Sequence, residues 1–369
     1  MNGRERLTAV LNRRRPDRLA WTTLVDGNTL GALGGEWAGL DAIGFGRRLG
    51  ADLLLLDGWG TARGFASPAL VRATAVTESW QDVAGRNVQT LRCPAGELTA
   101  VFERGHPRKY PVETLTDLRV LLAIWEGARY QARDDGENFA ALDALVAADG
   151  VVTRFWGPST IPRLLEFEMG TAAFYYLLND HPDEMGTLID AMHRAEMGAF
   201  EALAAGPCQT VILVENTSSF YISPDVYARF NGPHVADFVD SIHRAGKTAI
   251  LHMCGHVKQL LPQIARTGAD GVHALTEPPF GDTPWELALD ALGEDCVIIG
   301  ALNPNTFLRG PVDAIGEALD ALYTPRLRRA NVCCCAFADG LPVSIERWLA
   351  IAQWFERNGG EPEFVCRIR

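Results

Sequence analysis

The stretch Thr248-Ala249-Ile250-Leu251-His252-Met253-Cys254 decides the fold. It is a short aliphatic run of strand length, too brief to form a helix of its own. Before it, residues 224–245 carry apolar positions at helical spacing and begin with Pro224. Proline suits a first helical turn because its missing N–H would find no partner there. After it, residues 257–267 read as helix again. Helix, strand and helix joined by short connections form the unit of a parallel sheet covered by helices.

Working outward, the same unit recurs along the chain. Strands are predicted at residues 19–25, 51–57, 151–156, 210–215, 248–254, 271–275, 296–300 and 332–337. Helical stretches are predicted at 182–205, 224–245, 257–267, 311–323 and 342–357. Eight strands in this alternation predict an α/β fold, a (β/α)8 TIM barrel forming a single domain over residues 1–369. Residues 69–103 break the pattern. Strand-like runs at 71–80, 87–93 and 97–103, joined by Ala84-Gly85-Arg86 and Pro94-Ala95-Gly96, predict an antiparallel β-hairpin or meander inserted after the second barrel strand.

The 46 acidic residues outnumber the 34 basic ones, for a formal charge of −12. That balance argues against a general nucleic-acid binder, which needs lysine and arginine for phosphates. No apolar run approaches the ~20 residues of a membrane span, and the start Met1-Asn2-Gly3-Arg4-Glu5-Arg6 lacks the apolar segment of a signal peptide. The expectation is a cytoplasmic chain with neither membrane nor nucleic acid as a partner. There, its eight cysteines are expected as thiols or metal ligands rather than disulfides. Cys93, Cys208, Cys296 and Cys366 read as ordinary buried or half-buried thiols.

Active sites of such barrels gather at the C-terminal ends of the strands. His252 and Cys254 are two residues apart, so a strand presents both on one face. Imidazole and thiolate suit zinc, a borderline-soft ion, and a third ligand would leave the open position that catalysis needs. Cys333-Cys334-Cys335 on the eighth strand offers that ligand. Cys333 and Cys335 share a face, and Cys335 lies nearer the strand end, so it is the expected ligand and Cys333 the alternative. His273 is a rival ligand or a core histidine. Glu215 and Glu277 are the candidate catalytic carboxylates, as displaceable ligand, proton acceptor or substrate contact; each could equally cap a helix or pair with an arginine. Asp57 and Trp156 are expected to bind substrate, with Trp59 and Phe220 as further candidates for an apolar wall.

Several ordered motifs add to this. Arg4-Glu5-Arg6-Leu7, Arg15-Pro16-Asp17-Arg18, Ile222-Ser223-Pro224, Gly268-Ala269-Asp270-Gly271 and Ile299-Gly300-Ala301-Leu302-Asn303-Pro304 together resemble the uroporphyrinogen decarboxylase-like superfamily over nearly the whole chain. True decarboxylases carry an arginine-rich segment after strand one, and residues 24–30 here contain no arginine. They also carry Gly-His-Gly on strand eight, where this chain has cysteines. The chain is instead similar to the corrinoid-linked zinc methyltransferase branch (methylcobamide:coenzyme M methyltransferase-like), whose His-x-Cys and distant Cys are matched by His252, Cys254 and Cys335, with Pro342 beyond. That resemblance implies Zn2+, a corrinoid supplied by a corrinoid-binding partner protein, and a small-molecule methyl donor or acceptor. Glu277 resembles the glutamate of cobalamin-independent methionine synthases, and Asn303 is expected at the substrate. The alternatives are a lyase of the decarboxylase kind on a smaller substrate, with Asp57 stabilising a cationic intermediate, and a non-catalytic barrel that binds a corrinoid or tetrapyrrole.

Overall fold

A computed structural model of the chain describes residues 1–66, 68–338 and 340–360; Cys366 lies outside them. Eight parallel strands make the barrel: β1 (Ala20–Val25), β2 (Leu53–Leu56), β3 (Gly150–Trp156), β4 (Thr210–Val214), β5 (Thr248–His252), β6 (Gly271–Thr276), β7 (Val297–Ala301) and β8 (Val332–Ala338). They lie in the order β1-β8-β7-β6-β5-β4-β3-β2. The ring is completed between β1 and β2, where Asp52 N–H donates to the Trp21 carbonyl at 2.8 Å and Leu54 N–H to Thr22 Oγ1 at 3.1 Å.

These strands are apolar on both faces because both are buried, one in the barrel and one under helices. Leu54, Leu56, Ile212, Ile250, Val297 and Ile299 fill the barrel interior. Their neighbours Val211, Leu213, Leu251 and Ile298 face the helical layer. The N-terminal helix α1 (Gly3–Leu11) sends Leu7, Val10 and Leu11 into the interior cluster and closes the barrel's lower end. There the buried Arg6 guanidinium pairs with the buried Asp52 carboxylate at 2.5 Å. The C-terminal end of the barrel is left as the open one.

The insertion is a four-stranded antiparallel sheet of Thr77–Val83, Arg86–Cys93, Gly96–Glu103 and His106–Lys109. Its first turn places Ala84 and Gly85 at φ 53° and 79°, the left-handed pair that a two-residue hairpin requires. The run expected at 71–80 is divided. Ala69–Val71 pairs antiparallel with Arg129–Gln131, and the meander starts at Thr77. His106–Lys109 contains Pro107, which cannot donate to a ladder, and it is accordingly an edge strand.

The helix expected at 182–205 is α2 (Pro182–Ala205). The one expected at 224–245 is interrupted by a wider π turn at Tyr227–Asn231, after which α3 (Gly232–Arg244) continues. Those expected at 257–267, 311–323 and 342–357 are seen as Leu261–Arg266, Ala314–Leu322 and Ile345–Asn358. Among the described residues no helix is long and apolar enough to cross a membrane.

Candidate active site

At the open end β5 finishes on His252, paired in register with Val214 of β4 and His273 of β6. The two imidazoles meet through their Nδ1 atoms at 2.7 Å, so one proton lies between them. Phe155 of β3 stands edge-on to both, with ring centres 5.2 Å from His252 and 6.0 Å from His273. Burial pushes His252 down to about 4 and His273 well below the usual histidine value, so both rings are neutral near pH 7. His273 Nε2 is buried without a hydrogen-bond partner.

Two residues beyond His252, the Cys254 thiol reaches solvent at the rim and donates weakly to Asn216 Oδ1 at 3.8 Å. Gly255 follows because a Cβ there would lie 2.4 Å from the Ser218 Cβ and 2.5 Å from the Thr217 carbonyl oxygen. On β8, Cys333 and Cys335 point into the barrel and Cys334 into the helical layer, as strand alternation requires. Protein packed around the sulfurs raises Cys254 and pushes Cys335 up to about 12, so both stay thiols without a nearby cation.

His252, Cys254, His273, Cys335 and Asn216 line one cavity of about 530 Å3, together with Leu24, Leu56, Trp59, Phe155, Phe280 and Phe337. No lysine, arginine, aspartate or glutamate is among its lining residues, and neither is Cys333. Neutral imidazoles and thiols around one space, one of them with an unpartnered buried nitrogen, fit a borderline-soft ion such as zinc. In this conformation the donors share the cavity without being drawn together. Among the described residues, the trio of donor atoms within 4.8 Å of one another lies elsewhere, at His193, Glu196 and His234.

The backbone around the mouth is locally strained. Asp57 and Asn216, just past the ends of β2 and β4, have φ of 50° and 44°, and Ala274, inside β6, has φ of 63°. Non-glycine residues take this region at a cost and cluster where a side chain must be re-aimed. Ala274 is the extra residue of a bulge between His273 and Leu275. The bulge keeps His273 inward while sending Leu275 into the helical layer.

Five expected site residues have other places, none of them in the cavity wall. Glu215 is fully buried behind it, accepting hydrogen bonds from Ser159 Oγ and from Asn231 Nδ2 at 3.1 Å; burial raises it to about 7. Glu277 Oε1 accepts from the Trp285 N–H at 2.8 Å and caps the helix Trp285–Leu292. Asp57 Oδ1 accepts from the Phe155 N–H at 3.0 Å and from Arg154 at 3.3 Å, so its carboxylate is engaged in the scaffold. Trp156 packs outward between Tyr130 and Phe200, because alternation along β3 gives the inner place to Phe155. Asn303 donates to the Glu277 and Pro278 carbonyls at 3.2 and 3.0 Å and ties two loops together. In this structure these five side chains cap a helix, pack in the scaffold or tie loops together. Phe155 and Asn216 line the cavity in addition to the expected residues. The alternation Val151, Thr153, Phe155 carries the signal for the first; the positive φ of Asn216 has none in sequence.

In comparisons with known proteins, a methyltransferase from Methanosarcina mazei superposes over 97% of this chain and 99% of its own, with a TM-score of 0.60 at 14% identity. That is a likeness of fold. Modules of a pneumococcal exo-β-D-N-acetylglucosaminidase (TM-score 0.35, 9% identity, 60% of this chain and 64% of that one) and a D-psicose 3-epimerase (0.34, 12%, 61% and 84%) are more distant and carry no argument. No curated protein matches the sequence. Residues 157–343, just over half of the chain and running from the end of β3 to beyond β8, match the family described as uroporphyrinogen decarboxylase (URO-D). The chain belongs to that family.

Proposed function

We propose that this protein is a zinc-dependent methyltransferase moving a methyl group between a small substrate and a corrinoid on a partner protein. The small substrate would be of methoxy, methylthio or methylamine type, or a thiol acceptor. One observation carries the reading: His252, Cys254 and the distant Cys335 open on a single apolar cavity at the barrel mouth whose wall holds no charged residue. The carboxylates of a porphyrinogen would enter that cavity unpaired, at several kcal/mol each. The lyase alternative fares no better, since the Asp57 carboxylate it needs is held by Arg154.

His252, Cys254 and Cys335 would hold the ion. When bound, zinc supplies Lewis acidity that lowers a thiol's pKa or polarises a leaving group. The chain's own residues prepare the place. His273 engages Nδ1 of His252 and leaves Nε2 as the ligand atom of that ring. Phe155 fixes the ring plane edge-on, and Asn216 holds the Cys254 side chain at the rim. Leu24, Leu56 and Phe337 keep water from the floor. Trp59 and Phe280 on the cavity wall, and Phe220 on the loop after β4, are exposed aromatics, the kind of surface a docked partner covers.

The test is transfer between methylcobalamin and a thiol acceptor, followed by the corrinoid's visible absorbance. Cys254→Ser is expected to lower the rate at least ~100-fold, about 2.7 kcal/mol of transition-state stabilisation, and to release the metal. Full activity and unchanged metal content in that variant would overturn the reading.

A further inference from the structure

A second group of ligand-type side chains lies away from the mouth, in the helical layer outside the barrel. His193 and Glu196 sit three residues apart on α2, and His234 and Asp237 three apart on the neighbouring α3. Each helix thus offers a histidine followed by a carboxylate on one face, and the two faces meet. The His193 and His234 rings stack with centres 3.6 Å apart and planes within 4°. One donor atom each from His193, Glu196 and His234 lies within 4.8 Å of the other two.

The hydrogen bonds show which atoms are committed. His193 Nε2 pairs with Asp237 Oδ2 at 2.8 Å. Its Nδ1 is buried with no hydrogen-bond partner, and faces Glu196 Oε2 at 3.7 Å, too far for a hydrogen bond. His234, nine-tenths buried, also has an unpartnered Nδ1. Glu196, 2% exposed, takes one hydrogen bond on Oε2 from Thr160 Oγ1 at 2.7 Å. Two orphaned imidazole nitrogens beside a buried carboxylate are costly unless something positive stands between them. A histidine whose far nitrogen is held by a carboxylate is also the usual arrangement behind a metal.

We propose that His193, Glu196 and His234 form a second, structural metal site for zinc or a similar divalent transition ion, with Asp237 orienting His193 from behind. The N2O donor set and burial favour zinc over calcium or magnesium, which prefer oxygen ligands. Donors on a tetrahedral zinc stand roughly 3.3 Å apart for ~2.0–2.1 Å bonds, so the side chains close by small rotations and the parallel stack tilts open. The half-exposed Asp237 and the partly open His193 give the ion a route from solvent. Its effect is to clamp α2 to α3 beside Thr160 and Asn231, whose neighbour Ser159 and own side chain hold the buried Glu215.

The site is tested in the full-length protein with Cys254 and Cys335 both replaced by serine, so that no mouth thiolate contributes. After chelation, this variant is titrated with Co2+ and its visible spectrum recorded. The expected result is one Co2+ per chain, with ligand-field bands and no thiolate charge-transfer band, and a Tm raised by Zn2+. Adding His234→Gln or, separately, Glu196→Gln should abolish both the binding and the Zn2+-dependent rise while the metal-free Tm and circular dichroism stay those of a folded barrel. Absence of Co2+ binding in the double-cysteine variant, or binding unmoved by either further substitution, would overturn the proposal. The outcome is independent of the mouth: a wild-type protein with one bound Co2+ and no thiolate band would sink the zinc-thiolate reading and leave this site standing.

Discussion

Asp57 shows what burial of one carboxyl does to the whole protein. Its folded value is raised from 3.8 to about 6, first by desolvation, with the Arg154 charge and the Phe155 N–H only partly opposing. The folded state therefore holds this proton more tightly than the unfolded chain. Its contribution to stability is fully present below about pH 4 and is lost as pH rises through about 6, up to roughly 3 kcal/mol before discounting for its partial exposure. Denaturant unfolding of wild type and Asp57→Asn at pH 4.5 and 7.5 checks this. Wild type should lose stability relative to the variant on going to the higher pH; a difference that is constant or of opposite sign contradicts it. The cysteines separate in the same way. Cys335→Ser should release the mouth metal, whereas Cys333→Ser should keep it and cost about 1–3 kcal/mol for a buried hydroxyl among aliphatic side chains. Metal content and Tm of the two variants decide. The inward turn of Cys335 was legible from strand alternation alone, whereas Cys254, two residues past the end of β5, joins His252 on the cavity through the loop that follows. The site of Glu215 was not legible, because β4 ends one residue earlier and the carboxylate turns to Ser159 and Asn231, contacts between residues distant in sequence.

At the level of elements, β3 gives neighbouring aromatics opposite fates. Trp156→Ala should cost about 3–5 kcal/mol by opening a hole in the helical layer. Phe155→Ala should instead alter KM and metal affinity, since that ring lines the cavity beside His252. Comparing Tm with kinetics for the pair tests the assignment; a Phe155 variant changed only in stability would contradict it. The loop after β5 is held by contact: Gly255→Ala would press on Ser218 and Thr217 and shift Cys254, with a rate loss on the order of tenfold, ~1.4 kcal/mol. The eight strands were readable because runs such as Leu53–Leu56 must be apolar on both faces. The bulge at Ala274, the π turn at Tyr227–Asn231 and the edge strand with Pro107 were not. Each breaks a periodicity for reasons of tertiary contact rather than local preference.

Across the whole molecule, the plugged end and the cavity of the proposed site lie at opposite ends of the barrel. Leu7 of α1 plugs the lower end, so Leu7→Ala should lower stability by about 2–5 kcal/mol and leave metal content at the mouth unchanged. Above, the only polar lining of an apolar bowl is imidazole, thiol, amide and hydroxyl, which is why the account rests on a metal rather than on a charged side chain. The most direct measurement is X-ray absorption at the zinc edge of full-length His234→Gln protein, in which the helical-layer site is removed and the mouth alone reports. Two sulfur ligands and one imidazole are predicted, with the zinc lost when Cys335→Ser is added. A zinc ion bound there without sulfur, or a sulfur count indifferent to Cys335, would contradict the account.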